Sequence, residues 1–393
     1  MKAPPIGIHG FSLLSALGQS PAEIRHQLFT ADANPLSARD DLALGKTVYV
    51  GAIHAELPPI PATLAYATSR NLQLALAALQ PLQEKLDAVS TRFSCARLGI
   101  VLGTSTSGIS NGEAAIAQWS RDETLPAHYH YSQQEMGVLA PALQQHLGWQ
   151  GPAFCISTAC SASAKAMASG QRLLQAGLCD AVLVGGVDSL CRLTLNGFDA
   201  LDSLSATRCR PLSRDRDGIN IGEAAAFFLL TRESAAINLL GCGESSDAWH
   251  ISAPHPEGRG AATAMQSALK NAGLEHHALH YLNLHGTGTA QNDAMEARAV
   301  HQLFRDTLPV SGTKHLSGHC LGAAGALEAG LACLLLADGN TQLPAHPDFL
   351  QDPELPVLQT TSAEHRLPAG AARIMSNSFA FGGNNIALIL GRD

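Results

Sequence analysis

The sequence predicts an α/β protein with largely buried sheets, and three observations carry that prediction. Short β-rich apolar runs recur along the chain, each followed by a small-residue turn and an alanine-rich stretch of helical length. The strand and helix candidates alternate in order, as they do where helices cover the faces of a sheet. Charged residues make up only 15% of the 393, against about 25% in an ordinary soluble domain, while 46% are hydrophobic. That balance implies extensive burial, in a large core or against another subunit.

In the first half, strands are expected at Leu98–Gly103 (LGIVLG), Ala153–Thr158 (AFCIST), Ala181–Gly186 (AVLVGG) and Ala224–Thr231 (AAAFFLLT). In the second they are expected at Ile237–Gly241, Tyr281–His285 (YLNLH) and Leu308–Thr313, with a closing pair around Arg373–Ser378 and Asn385–Leu390. One strand ends at Cys160 and runs into a helix over Ser161–Gly177. Another ends near Lys314, and a helix begins around His319 and runs to Ala337. Both helices are rich in alanine and glycine and poor in charge, so each is expected to be covered on all sides. A duplicated unit, residues 1–235 and 236–393, with its two central helices back to back, accounts for this layout. The stretch Glu56–Pro61 and the polar segment Asp122–Gln134 read as surface excursions. Leu343–Glu364, with four prolines, reads as a loop or irregular edge. No repeat of roughly 20 to 50 residues is present, which excludes a solenoid.

Composition excludes several function classes. The net charge of −8, from 25 basic and 33 acidic side chains, argues against a globally basic nucleic-acid binder. Nine cysteines, an odd number with no CxxC pair, favour free thiols in a reducing compartment. Without CxxC, CxxCH or HExxH, the 17 histidines make a poor case for zinc, and His128 and His130 read as a surface loop. Residues Phe11 to Leu17 follow Lys2 as in a signal peptide, but Pro4, Pro5 and His9 break the pattern. The apolar stretch Leu321 to Ala337 falls short of a membrane span of about 18 to 20 residues and contains Glu328. A buried helix and a cytoplasmic chain are expected.

Four segments carry chemistry. In Ile156–Ala164 (ISTACSASA), Cys160 lies between a strand and a helix, where backbone N–H groups and the helix dipole favour a thiolate and lower its pKa. In Asn283–Thr289 (NLHGTGT), a histidine at a strand end is followed by glycines that allow a tight turn and close approach of a ligand. A phosphate-cradling loop is the rival reading there, although neither GxGxxG nor a P-loop is present. In Gly312–Gly325, His319 falls at a helix start that disfavours imidazolium and keeps it neutral. Lys314 and Glu328 lie in apolar surroundings and need partners, plausibly each other. Ser376–Asn385 (SNSFAFGGNN) is a glycine loop with two phenylalanines, either a plain hairpin or a mobile gate.

With these motifs in order, the chain resembles the β-ketoacyl-acyl-carrier-protein synthases of the thiolase fold, in particular the elongating type II enzymes. The resemblance spans essentially the full length. It rests on STAC at Ser157–Cys160, NLHGTGT at Asn283–Thr289, TKHLSGHCLGAAGA at Thr313–Ala326 and SNSFAFGGNN at Ser376–Asn385. A further match is RPLSRDRDG at Arg210–Gly218, followed by Gly222 and Glu223. Within the family, Gly243–Pro256 and the Phe379-Ala380-Phe381 loop look most like the ketosynthases of aryl polyene pigment clusters.

The resemblance implies a five-layered αβαβα architecture of two duplicated halves and a decarboxylative Claisen condensation that elongates a fatty-acid, polyene or polyketide chain. Cys160 would take an acyl group from a carrier-protein thioester, and an enolate formed from malonyl-carrier protein would attack it. His285 and His319 would donate hydrogen bonds to the malonyl thioester oxygen, and Lys314 and Glu328 would support them. The backbone N–H groups of Cys160 and Phe381 would form the other oxyanion hole. Thr287 and Thr289 would bond the phosphopantetheine arm of the carrier. Phe379, Phe381 and Gly382 would meet the substrate, with Phe381 as gate. Ala380 stands where the family usually has glycine, and Asn384 where threonine is common. No bound cofactor and no metal are implied beyond the carrier's own arm.

The partners implied are an acidic acyl carrier protein, docked by Arg210 and Arg70, and a second subunit, either identical or a chain-length factor. Arg208, Arg214 and Arg216 lie near in sequence, although the alternating charges of Arg214–Asp217 also suit a plain solvated loop. Three other readings compete. A non-catalytic chain-length factor would usually lack the cysteine. A coenzyme A-dependent thiolase would need a second cysteine where Phe379 and Phe381 stand. A cysteine hydrolase would leave His319 unexplained.

Overall fold

The computed structural model describes residues 5–30, 33–337, 339–347 and 349–393. The first half runs β1 (Ile6–Ser15), α1 (Pro21–Phe29), β2 (Ser37–Arg39), β3 (Val48–Val50), α2 (Arg70–Leu79), α3 (Gln83–Arg92), β4 (Leu98–Gly103) and α4 (Ile109–Asp122). It continues through α5 (Leu139–Leu147), β5 (Ala153–Ile156), α6 (Ala162–Gln175), β6 (Ala181–Asp188), α7 (Arg192–Asp199) and β7 (Ala224–Thr231). The second half runs β8 (Asn238–Ser246), α8 (Arg259–Ala272), β9 (Tyr281–Asn283), α9 (Ala290–Phe304), β10 (Pro309–Ser311) and α10 (Lys314–Ser317). It closes with α11 (Ala324–Leu336), β11 (Gln359–Thr360), β12 (Ala372–Ala380) and β13 (Asn384–Arg392).

Apart from a hairpin of β2 and β3, the strands follow the order β11-β10-β9-β12-β13-β8-β1-β7-β6-β4-β5. The six strands of the second half meet the five of the first where Ile6 and Gly7 of β1 pair with Leu239 and Asn238 of β8. Helix α6 lies on β4, β5 and β6, α11 lies on β12, β13 and β7, and the two helices pack against each other. Helices α2 and α5 cover the outer face of the first set of strands, and α8, with α9 beside it, covers the second. The expected αβαβα layering is therefore present.

Burial on both faces is visible in the parity of the strands. On β6 and β7, Val182, Val184, Ala226 and Phe228 join the core around the central helices. Their neighbours Leu183, Val187, Phe227 and Leu229 join a second core beneath α2 and α5. A third core lies between α8, α9 and their strands. Helix α11 is buried at all 13 positions, including Glu328. Truncating one of its leucines to alanine would cost about 2–5 kcal/mol.

Strand β1 departs from the expectation for this segment. Phe11–Leu17, which looks like an interrupted leader, belongs mostly to a strand paired with β7 from Gly7↔Thr231 to Ser15↔Ala224. His9 breaks its apolar pattern because the register shifts between Ile8 and Gly10. The His9 ring bonds Thr231 Oγ1 (2.9 Å) and the Glu233 carbonyl (3.1 Å) instead of entering the core. Strands β9 and β10 stop two residues before the apolar runs do, as the chain leaves the sheet to form the loops carrying His285 and Lys314. Among the described residues no helix is long and apolar enough to cross a membrane.

Candidate active site

Cys160 is set by a tight turn between β5 and α6. Ala159 adopts a left-handed φ of 50°, a conformation that costs a non-glycine residue about 1–2 kcal/mol. The Ala162 N–H donates to the Ala159 carbonyl (3.0 Å) and the Ser161 hydroxyl to the Thr158 carbonyl (2.8 Å), which closes the turn. The thiol ends up 6% exposed at the mouth of the helix.

His285 follows β9 in a loop clamped by two buried carboxylates of α9. Glu296 accepts from the backbone N–H of His285 (2.7 Å) and of Gly286 (2.8 Å). Asp293 accepts from the N–H of Gly288 (3.2 Å) and of Leu212 (2.8 Å). Gly286 and Gly288 have φ of 44° and 81°, which suits glycine and lets the loop fold onto the helix. Sequence reasoning missed this clamp. Its signal was Asp293 and Glu296, three residues apart on one face of the helix that the loop itself starts.

Lys314 has three N–H donors and three acceptors around it: Glu328 Oε1, the His285 carbonyl (2.5 Å) and His285 Nδ1 (3.4 Å). The ammonium donates to Nδ1, so the proton of the neutral His285 ring sits on Nε2. His319 brings its Nε2 to 3.0 Å from Cys160 Sγ, and its ring meets that of His285 edge-on with centroids 5.3 Å apart. The ligand atoms of Cys160, His285 and His319 all lie within 4.8 Å of one another. Such a trio has the composition of a zinc site, but a His285 Nε2 that carries a proton is a donor rather than a metal ligand.

The electrostatics differ from the sequence expectation in two ways. Burial pushes the Cys160 thiol up to about 12, outweighing the nearby Lys314 charge and the N–H groups of Cys160 and Phe381 that favour thiolate. Desolvation thus outweighs the helix mouth, whose N–H groups and dipole by themselves favour thiolate. His319 is held well below its usual range, first by burial and then by Lys314. The helix start invoked for it lies further on. α11 begins at Ala324, and His319 sits in a loop whose N–H donates to the Asn220 carbonyl (2.6 Å). Burial and Lys314 likewise depress His285, while burial raises Glu328 to about 7 against the pull of Lys314.

With that geometry in place, the family assignment rests on two matches. Residues 5–236 match the model of the beta-ketoacyl synthase N-terminal domain and residues 237–347 that of its C-terminal domain. The chain belongs to the β-ketoacyl synthase family. The 3-oxoacyl-[acyl-carrier-protein] synthase 2 of Staphylococcus aureus is 35% identical over 260 residues, and that of Synechocystis sp. 34% over 261. Each alignment spans 62% of this chain and 62% of the relative's length. A solved ketosynthase (ApeO), in complex with its chain length factor (ApeC) from Xenorhabdus doucetiae, superposes with a TM-score of 0.94 at 46% identity, covering 99% of this chain and 98% of that one. The ishigamide ketosynthase/chain length factor gives 0.86 at 25% identity, with 99% of each chain covered. The fold of the chain is thus the thiolase-like α/β fold.

The chain has a cavity of about 360 Å³ lined by Cys160, His285 and His319 together with Thr287, Thr289 and Phe379. Phe381 stands at its side, with its ring 5.5 Å from that of Phe198 on α7, a neighbour sequence reasoning did not identify. Gly382 donates its N–H to the Ile251 carbonyl (2.7 Å), which joins the phenylalanine loop to the loop after β8.

The arginines of the chain separate. Arg210 is partly exposed, with its guanidinium 3.4 Å from the Thr207 hydroxyl. Arg70 grips Glu223, buried at 0% exposure, through Nη2 (2.5 Å) and Nε (2.8 Å), and also donates to the Ile53 carbonyl (2.9 Å). Its guanidinium thus ties the start of α2 to Glu223 and Ile53, while the side chain stays 38% exposed. Arg214, Asp215 and Asp217 are exposed, as in a solvated loop, whereas Arg216 is paired with the buried Asp352; Asp217 also accepts from the Ser205 hydroxyl (2.5 Å).

Proposed function

We propose that this chain is an elongating 3-oxoacyl-carrier-protein synthase of the aryl polyene type, catalysing decarboxylative Claisen condensation. The observation that carries the reading is the convergence of Cys160, His319 and an Nε2-protonated His285 around one cavity. In the first half-reaction Cys160 attacks the acyl thioester on the phosphopantetheine arm, and the arm leaves as its thiol with the cysteine proton. Thr287 and Thr289, with hydroxyls 3.0 Å apart in the cavity wall, are placed to bond the arm. The N–H groups of Cys160 and Phe381, both directed at Sγ, are placed for the oxyanion of that step.

In the second half-reaction malonyl-carrier protein loses carbon dioxide, and its electron pair passes into an enolate. Neutral His285 and His319 donate to the enolate oxygen, and removing either costs about 100- to 1000-fold in rate. The enolate carbon then bonds the acyl carbon, and the Cys160–carbon bond breaks. Lys314 and Glu328 hold the histidine side of the site and fix the tautomer of His285. The retained cysteine weighs against a non-catalytic chain-length factor, and phenylalanines at 379 and 381 weigh against a thiolase.

The remaining parts of the reading concern organisation and partners. Residues 1–235 and 236–393 are two diverged copies of one unit. The protein works in the cytoplasm with a second subunit, itself or a chain-length factor, across the free edge of β5. Arg210 docks an acidic carrier protein. Arg210→Glu should raise the apparent KM for carrier protein, and an unchanged value at low salt would remove it from the interface. The central test is incubation with acyl- and malonyl-carrier protein, with and without a candidate partner subunit. Intact mass should show the acyl group on the wild type and none on Cys160→Ala. Labelling of that variant would refute the nucleophile.

A further inference from the structure

Lys165 lies five residues beyond Cys160 on α6, with its side chain only 14% exposed. Its Nζ is 3.3 Å from Asn384 Oδ1 and 3.7 Å from Glu244 Oε1 on β8. Arg172, two turns further along α6, also pairs with Glu244. Asn384 directly follows the Phe381–Gly383 turn, where Gly382 and Gly383 have φ of 76° and 70°. Two consecutive glycines give that turn wide backbone freedom, so the few ties on it, two backbone bonds to Ile251 and Asp247 and the side-chain bond to Lys165, decide where it rests. In its present position the turn aims the Phe381 N–H at Cys160.

We propose that Lys165 is a positioning residue that holds the Phe381 loop closed over Cys160 through Asn384 and passes to Glu244 when the loop opens. A poorly solvated ammonium needs an acceptor, so a loop that carried Asn384 away would otherwise strand a charge. Glu244 already lies within ion-pair range, so a small side-chain rotation supplies the replacement. The amide is the weaker of the two acceptors, which suits a tie that must break in every turnover. The device fits this chain in particular, since it pairs a lysine on the nucleophile's helix with an asparagine at the base of the gate, the first residue of β13.

The proposal rests on Phe381 acting as a gate, but its test needs no condensation. The full-length protein is treated with N-ethylmaleimide, and the rate of modification at Cys160 is followed by peptide mass mapping. Lys165→Met and Asn384→Ala should each speed modification roughly tenfold, the double variant no further, and Lys165→Arg should return the rate towards wild type. Glu244→Gln, which removes the open-state acceptor, should slow it. Unchanged rates in the single variants, or additive effects in the double, would overturn the tether. Lys165→Arg and Glu244→Gln keep the test decisive if either truncation unfolds the protein. Rates that change as expected in a protein that never loads an acyl group would keep the tether and remove the synthase reading.

Discussion

At the scale of single residues, the site combines a strong nucleophile with an environment that keeps it protonated at rest. Cys160 and His319 touch, yet burial raises one pKa and lowers the other, so thiol and neutral imidazole are the resting pair. Thiolate must then form as substrate enters, beside Lys314 and the two N–H groups. Iodoacetamide alkylation of Cys160 should therefore accelerate about tenfold per pH unit from pH 6 to 9, following the thiolate fraction. A plateau below pH 8 would mean a preformed thiolate–imidazolium pair. Lys314→Met should slow alkylation at every pH in that range, because it removes the nearest charge favouring thiolate.

At the scale of elements, α9 acts as a jig for the loop that precedes it. Burial raises Glu296 to about 7, and its oxygens are the acceptors for the His285 and Gly286 N–H groups. Glu296→Gln turns one acceptor into an amide donor facing a backbone donor, at a cost of about 1–3 kcal/mol. Thermal unfolding should show the lost stability. Malonyl decarboxylation should fall with it while acyl loading of Cys160 stays close to wild type, because Glu296 holds His285 and not the thiol. Equal losses in both half-reactions would mean that the clamp supports the whole site. The phenylalanine loop obeys the same logic in reverse. It is held to the segment after β8 by two backbone bonds, Gly382 N–H to the Ile251 carbonyl and Asp247 N–H to the Gly383 carbonyl. Otherwise side chains of α6 and α7 hold it, so it is tied by few bonds and is the part of the site best able to move.

At the scale of the molecule, two properties stand out. Among the described residues the sheet ends at β5, whose outer edge has no strand beside it and whose Phe154 is 39% exposed. Ile116 and Trp119 of α4 and Leu193 of α7 are more exposed still, at 63%, 56% and 59%. An open strand edge, and exposed apolar side chains on α4 and α7, which pack on each other, are both templates for association. Phe154→Asp should lower the mass seen in sedimentation, and an unaltered assembly would place the interface elsewhere. The second property is the set of buried histidines. His285, His315, His319 and His346 are all held below their usual range by burial, His346 at about 4. The unfolded chain takes up their protons below about pH 6.5 and the folded chain does not, so their contribution is present above that pH and lost on acidification. Glu296, Glu328, Asp188 and Asp293, all raised by burial, act in the opposite sense, but His280 is depressed as well, so five imidazoles stand against four carboxyls. Thermal stability should fall from pH 6.5 towards 4, and His346→Gln should flatten that slope by about one proton.

The sequence by itself determined the strand–helix alternation, the cover on both faces of the sheet, and the chemistry at each junction. Those are local properties: apolar runs, small-residue turns, and charges such as Lys314 and Glu328 that apolar surroundings oblige to pair. It also supplied the family motifs. Tertiary structure alone decided that a sulfur from one half and two imidazoles from the other share a cavity, and that Arg70 and Arg216 are bound to buried carboxylates. It also reversed the sign of the Cys160 shift. Desolvation is set by everything packed around a group, and no window of sequence contains that information, whereas a helix end can be read from its own few residues. β1 was hidden for a related reason. The bulge at His9 is stabilised by Thr231 and Glu233, more than 200 positions away, and interrupts the pattern by which a strand is recognised.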